Sequence, residues 1–214
     1  MIKAVVFDFD DTLVDTKGFV IEHMVRTMKE VDGEMDEERI EMLKDVLYEN
    51  LHFEEIFQRL FSENWELYLS KYRETAPKTS YKPMSGMLEF INELKEKGVK
   101  LYILSNRTRM LEDRMAQAGY VPTDFKIYSA LDGHRKPDQL AYTPVLEEIE
   151  RDKIERSEVL VIGNHPDDYL ALPDEWKERF RAIPDSEIQR ERFVGLTELS
   201  ENEIYKEVIN IKIS

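Results

Sequence analysis

Asp8, Asp10 and Asp11 stand close together near the start of the chain, with Thr12 directly after them. Carboxylates this crowded repel one another and stay ionised together only where a cation or hydrogen-bond donors compensate them. A hard divalent cation with oxygen ligands, Mg²⁺ above all, meets that need. An Asx turn or a helix N-cap also selects Asp and Thr, so these four residues alone leave both readings open. Three further clusters lie downstream: Ser105-Asn106, Arg135-Lys136-Pro137-Asp138, and Gly163-Asn164-His165-Pro166-Asp167-Asp168. Each has a plain structural explanation: a turn hydrogen bond for Ser105, a surface lysine for Lys136, an acid at a helix start for Asp168. Taken together, a carboxylate nucleophile, a hydroxyl, a lysine and a second acidic loop suit phosphoryl transfer. The carboxylate attacks phosphorus and forms an acyl-phosphate. The hydroxyl and backbone N–H groups hold phosphate oxygens while the lysine neutralises charge. A metal bridges nucleophile and phosphate.

Elements must bring these clusters to one place. Ala4 to Phe7 is short, apolar and rich in β-branched residues, as a buried strand is. Residues 99–104, 125–128 and 159–162 read as further strands. Residues 83–97, 109–118 and 139–150 read as helices between them; Met87, Ile91 and Leu94 share one face of the first, and Gly98 stops it. This alternation implies right-handed βαβ units and a parallel sheet. Ligands bind beyond the carboxyl ends of such strands, and every cluster named above follows a strand. Residues 174–180 read as helical and 181–183 as another strand, and the tail from Thr197 has roughly helical spacing.

Residues 16–81 differ. Val20, Met24, Met28 and Val31, then Ile40, Leu43 and Leu47, then Phe53, Ile56, Phe57, Leu60 and Phe61, then Trp65, Tyr68, Leu69 and Tyr72 recur at helical spacing with no strand signal. The expected fold is α/β, a Rossmann-like parallel sheet core over 1–15 and 82–214, with an α-helical domain inserted over 16–81. Residues 75–80 read as the return linker.

Asp8-x-Asp10-x-Thr12 after a hydrophobic strand, followed in order by Ser105, by Lys136 in an Arg-Lys-Pro-Asp stretch and by the 163–168 loop, resembles the four motifs of the haloacid dehalogenase superfamily. That family's members are mostly Mg²⁺-dependent phosphatases. The resemblance spans residues 1–15 and about 82–195. It implies that Asp8 is the nucleophile, with its carboxylate on Mg²⁺. It implies that Asp10 protonates the leaving alcohol and later activates water, its backbone carbonyl ligating the metal. Thr12 would steady the loop and belong to the phosphate-binding set with Ser105 and the Asn106 backbone. Lys136 would hold Asp8 and phosphate, and Asn164 and Asp168 would complete the metal site. The helical insert would be a cap closing over the substrate, expected to be a small phosphorylated metabolite. Asp10 argues against carbon–halogen cleavage, because an acid two residues after the nucleophile serves a leaving alkoxide that needs a proton.

One position departs from the pattern. The fourth motif usually reads Gly-Asp, and here it reads Gly163-Asn164. A neutral amide still offers its carbonyl oxygen, but the ligand set loses a charge and Mg²⁺ affinity should fall. Asp167 or Asp168 could compensate. Two rival readings follow. One is a phosphomutase or phosphonate-cleaving relative; the latter needs a cap lysine, and Lys17, Lys29, Lys44 and Lys71 have no distinctive context. The other is a catalytically silent protein of the same fold that binds a partner or phosphometabolite.

Bulk composition bounds the rest. At 214 residues the chain allows one ordinary domain plus an insertion. Its 42% apolar content is enough for a core, and its net charge of −15 argues against nucleic-acid and anionic-membrane partners. Without cysteine there is no disulfide, thiol chemistry or cysteine metal site. No apolar run is long enough to span a bilayer, and no charged-then-apolar leader precedes the first strand. The expectation is a cytoplasmic protein, monomer or dimer.

Overall fold

Five parallel strands form one sheet in the order β3-β2-β1-β4-β5, in a computed structural model that describes residues 2–34, 36–47, 51, 53–76, 80–107, 110–129 and 133–183. They are β1 (Ala4–Phe7), β2 (Lys100–Ser105), β3 (Phe125–Ser129), β4 (Val159–Gly163) and β5 (Phe180–Ala182). The central strand β1 is buried along its whole length and pairs Val6 with Tyr102 of β2 on one side and with Val161 of β4 on the other. A strand covered on both faces and both edges has no solvent side to alternate toward, hence its continuous apolar run. The chain runs from β1 outward through β2 to β3, then returns to the other side of β1 for β4 and β5. The sense of winding therefore reverses at β1, which is where ligands bind in such sheets.

Helices cover the sheet. α5 (Met87–Glu96) buries Met87, Phe90, Ile91 and Leu94, and the Phe90 ring meets Phe7 edge-on at 6.2 Å. α7 (Thr143–Arg151) buries Val145 and Ile149 in a layer with Val6, Tyr102, Val161 and Trp176. α6 (Leu111–Gln117) and α8 (Pro166–Leu170) are short.

Residues Asp15–Lys82 form a separate compact unit of four helices: α1 (Thr16–Asp32), α2 (Glu37–Leu47), α3 (Phe53–Phe61) and α4 (Trp65–Thr75). Asp15 caps α1, its carboxylate accepting from the Gly18 N–H at 2.7 Å. A Cβ on Gly18 would lie 2.1 Å from that carboxylate, so the cap needs glycine there. Aromatic rings fill the interior; Phe61 stacks on Tyr68 at 3.7 Å and Phe57 meets Tyr72 edge-on at 5.4 Å. Among the described residues no helix is long and apolar enough to cross a membrane.

Several boundaries differ from the sequence expectation. The helix expected from residue 83 begins at Met87, because Pro83 bridges to Val14, the Met84 N–H donates to the Leu13 carbonyl, and Gly86 takes a left-handed φ of 71°. The helix expected from 109 begins at Leu111, after Met110 at φ 56°. The 139–150 helix is a 3-10 turn (Gln139–Tyr142) followed by α7, with a proline in its first turn. Residues Asp174–Arg179 form a 3-10 turn, and β5 starts at Phe180 rather than 181. α8 was anticipated only as the helix start that Asp168 offered as its plain structural reading. The tail from Thr197 and half of the return linker (77–79) lie outside the described residues.

His23 of α1 is fully buried, stacked on Phe19 and edge-on to Tyr72. Its Nε2 lies 2.9 Å from the Tyr72 carbonyl oxygen, an acceptor only, so Nε2 carries the proton. Burial lowers the pKa of this imidazole, with Arg26 adding to the effect against the Tyr72 hydrogen bond and against Glu30 and Glu22. Below its ordinary pKa of about 6.5 the unfolded chain then binds the proton more readily than the folded one. Stability contributed here is present above that pH and is lost as pH falls below it. Denaturant titrations at pH 7.5 and 5.5 should show the acid loss, and His23→Gln should reduce it.

Candidate active site

The turn after β1 sets the stage. Phe9 is fully buried, so by alternation its neighbours Asp8 and Asp10 face the other way. The N–H groups of Leu13 and Val14 both donate to the Phe9 carbonyl, at 3.0 and 3.2 Å. Asp11 takes the left-handed conformation (φ 55°) that a tight turn needs and that Asp tolerates better than most residues. The Tyr120 hydroxyl, from beyond α6, donates to the Leu13 carbonyl at 2.7 Å and fixes the turn.

Lys136 is the hub. Its ammonium is buried and donates to Asp8 Oδ1 at 2.6 Å, Asp168 Oδ1 at 2.5 Å and the Leu104 carbonyl at 2.9 Å, which uses all three of its protons. Burial opposes the charge, but Asp168 and Asp8 outweigh burial and hold this lysine's pKa above its ordinary value. Burial pushes Asp8 up to about 7; Lys136 works against this, while Asp168 and Asp10 add to it. The Asp8 carboxylate is therefore short of positive charge.

Asn106 keeps Lys136 in place. Its side-chain amide donates to the Lys136 carbonyl at 2.9 Å and accepts the Lys136 N–H at 2.8 Å. Its side chain is thus committed to the lysine loop, leaving the backbone for the phosphate role expected of it. Ser105 Oγ, at the end of β2, accepts the Arg107 N–H at 3.1 Å, and its own proton remains available for a phosphoryl oxygen.

The loop after β4 closes on Asp168. Oδ2 of this buried carboxylate accepts the N–H groups of Asn164 at 3.1 Å and His165 at 3.0 Å. A Cβ on Gly163 would lie 2.5 Å from that oxygen, so glycine is what lets the carboxylate lie over the loop. His165 Nδ1 accepts the Asp167 N–H and caps α8. The buried Tyr142 hydroxyl donates to the Asp168 carbonyl at 3.2 Å.

Three expected roles meet these contacts. Thr12 is fully buried and donates its hydroxyl to Asn164 Oδ1 at 3.2 Å, which steadies the loop and turns the side chain away from a phosphate role. Asp168 has both oxygens engaged, one by Lys136 and the other by backbone N–H groups. Among the described residues no three His, Cys, Asp or Glu side chains converge on a cation position. The oxygen donors that remain suited to Mg²⁺ are Asp8 Oδ2, which Lys136 leaves aside, the Asp10 carbonyl and the second lone pair of Asn164 Oδ1. These are hard ligands of the right kind but carry only one formal charge.

The residue that sequence reasoning missed is Arg107. It grips Asp10 with two bonds, Nη2 to Oδ1 at 2.5 Å and Nε to Oδ2 at 3.1 Å, and lies over the Phe9 ring at 5.7 Å. The sequence signal was available: a cation two positions after Ser105.

A parallel sheet with an aspartate beyond its central strand and a lysine salt-bridged to it defines the class, and comparison with known proteins agrees. The family model for haloacid dehalogenase-like hydrolases matches residues 5–171. The chain belongs to that family, as a hydrolase of its phosphatase branch. It is 28% identical over 177 residues to a protein of Caldanaerobacter subterraneus subsp. tengcongensis named, provisionally, as pyrophosphatase PpaX, covering 79% of this chain and 76% of that one. It is 29% identical over 181 residues to the Clostridium perfringens protein of the same name, covering 80% and 79%. A crystal structure from Thermotoga maritima, provisionally a β-phosphoglucomutase, shares the fold with a TM-score of 0.70 and 20% identity over 98% of both chains.

The charge arrangement predicts opposite stability effects for its members. Lys136→Met leaves two buried carboxylates unpaired and should cost about 3–5 kcal/mol. Asp8→Asn removes a carboxylate whose ionised form the fold disfavours, and should raise the melting temperature at pH 8. Thermal denaturation of the two variants checks both signs.

Proposed function

We propose that the chain hydrolyses phosphomonoesters of small metabolites through an aspartyl-phosphate at Asp8. The observation that carries this is the buried Asp8–Lys136–Asp168 chain at the carboxyl ends of the central strands. Asp8 attacks phosphorus as the bond to the leaving oxygen breaks. Asp10, having taken a proton from solvent, gives it to that oxygen. In the second half Asp10 accepts a proton from water as the water attacks the acyl-phosphate, releasing phosphate and restoring Asp8. Lys136 keeps Asp8 oriented and balances the incoming charge, and the Ser105 hydroxyl with the Asn106 N–H binds phosphoryl oxygens. Asp8, the Asp10 carbonyl and Asn164 would hold Mg²⁺, which when bound would supply charge neutralisation for nucleophile and phosphate. Asp168 serves the lysine and its loop. The inserted helical unit takes the part of the cap, selecting among substrates. The relatives named as pyrophosphatases extend the candidate substrates to phosphoanhydrides. The expected setting is the cytoplasm, with no nucleic-acid partner.

A silent, ligand-binding role has one specific observation in its favour: the amide of Asn164 stands where the family pattern has an acid, and its oxygen already accepts from Thr12. Turnover separates the two readings. Wild-type protein should hydrolyse 4-nitrophenyl phosphate with Mg²⁺, and Asp8→Asn should lose about a thousandfold or more. Asn164→Asp should lower the Mg²⁺ concentration that gives half-maximal rate. A wild type without turnover, revived by Asn164→Asp, would establish the binding role instead.

A further inference from the structure

The Asn164 side chain carries an acceptor and two donors, and only the acceptor has a partner. Oδ1 accepts the Thr12 hydroxyl at 3.2 Å. Nδ2 has no hydrogen-bond partner among the described residues, although the residue is only 7% exposed. Nor is Nδ2 sealed from solvent, as an enclosed unpaired nitrogen would be. The small opening that Asn164 has therefore includes its NH2 group. An ionised aspartate here would offer acceptors alone, whereas the amide offers N–H donors.

Thr12 decides which end of the amide faces the opening. Its hydroxyl is fully buried, and Asn164 is its only side-chain partner among the described residues. A buried hydroxyl proton left without an acceptor is costly, and Oδ1 supplies the acceptor. With the amide reversed, Nδ2 would donate to Thr12 Oγ1 and the hydroxyl proton would be stranded. Thr12 therefore holds Oδ1 and frees Nδ2. The Asn164 backbone is fixed as well, because its N–H donates to Asp168 Oδ2 at 3.1 Å.

The register of the sheet says what these donors meet. Phe7 pairs with Ile103 of β2 on one side and with Ile162 of β4 on the other. Ser105 stands two residues beyond Ile103, and Asn164 two residues beyond Ile162. The two residues thus flank the end of β1 from opposite sides. Asp8 leaves β1 between them, its N–H donating to the Ile162 carbonyl at 2.9 Å. We propose that Asn164 is a phosphoryl-binding residue. Nδ2 donates to a phosphoryl oxygen from the β4 side, opposite the Ser105 hydroxyl and the Asn106 N–H on the β2 side. This assignment rests on the reading that the phosphoryl group sits at Asp8. It gives the departure at position 164 a use: the amide holds the anion directly, where an acid would hold it only through a cation. Thr12 acts through Asn164 as a positioning residue.

Anion binding without metal tests this apart from turnover. Calorimetry with inorganic phosphate in EDTA would use the full-length Asp8→Asn protein, which forms no acyl-phosphate and no longer repels the anion. This parent should bind phosphate without a divalent cation. Adding Asn164→Ala should weaken binding about tenfold, as one lost hydrogen bond to a charged group does. Thr12→Val removes the proton that selects the amide orientation and should weaken binding about twofold or more. Thr12→Ser keeps that proton and should bind as the parent does. A residue acting only as a metal ligand would leave all of these affinities alone. An affinity unchanged by Asn164→Ala overturns the proposal. So does a Thr12→Val protein that binds as tightly as Thr12→Ser, and so does a parent that binds phosphate only when Mg²⁺ is added. Melting curves of each variant guard against misfolding. Aryl phosphate turnover by the wild type is read separately. An active wild type with phosphate affinity independent of Asn164 overturns this assignment alone. An inactive wild type with Asn164-dependent binding overturns the phosphatase reading and leaves the assignment standing.

Discussion

The buried ammonium of Lys136 is the constraint on which the rest of the site depends. A desolvated lysine is costly unless every proton finds an acceptor and its charge finds partners. Here the three acceptors come from three places at the strand ends: the turn after β1, the end of β2 and α8, which follows β4. The lysine therefore ties three strand ends together at the point where the winding of the sheet reverses. Other features follow from keeping it there. Asn106 clasps its backbone from both sides. Gly163 gives Asp168 room to lie over the loop, and Tyr142 fixes the Asp168 carbonyl from beneath. Replacing the whole arrangement with hydrophobic residues would cost little stability, as other buried ion groups show. Its presence is better explained by chemistry than by folding.

The fold was legible because its signals are local and periodic. β1, β2, β3 and β4 fall within a residue or so of where β-branched runs placed them, and the helical unit shows its four apolar stripes directly. What was not legible depended on long-range contacts. The start of α5 was misread because Pro83 and Met84 pair with residues at 13 and 14, a contact no local window contains. The 139–150 segment looked like one helix because its apolar spacing runs through a 3-10 turn and a proline. α8 is only five residues long, too short for periodicity to show.

The candidate site followed the same rule. The residue types after each strand were visible, and the structure links Asp8, Lys136, Asp168, Asn164, Thr12 and Asn106 through hydrogen bonds. The partners were not visible. Nothing in the spacing says that the Asn106 amide serves Lys136, that Thr12 turns to Asn164, or that Asp168 divides its oxygens between Lys136 and the N–H groups of its loop. Arg107 shows the limit most clearly. It sits two residues after a residue already singled out, yet its meaning depends on Asp10, 97 positions earlier.

Asn164 and Arg107, read together, change the electrostatics of the site in one direction. In the network around the strand ends, Asp8, Asp10 and Asp168 face Lys136 and Arg107, so the side chains leave one negative charge uncompensated. An aspartate at 164 would add another, and loss of Arg107 another still. The amide of Asn164 and the charge of Arg107 thus each weaken the field that would draw in a divalent cation. Yet Asp8 is held up toward neutral pH by burial and by its acidic neighbours despite Lys136, so this carboxylate still lacks positive charge. The two residues relieve the surroundings rather than Asp8: Asn164 contributes an oxygen without a charge, and Arg107 pairs with Asp10. The remaining demand for a cation is concentrated on one carboxylate, Asp8, whose second oxygen Lys136 leaves aside.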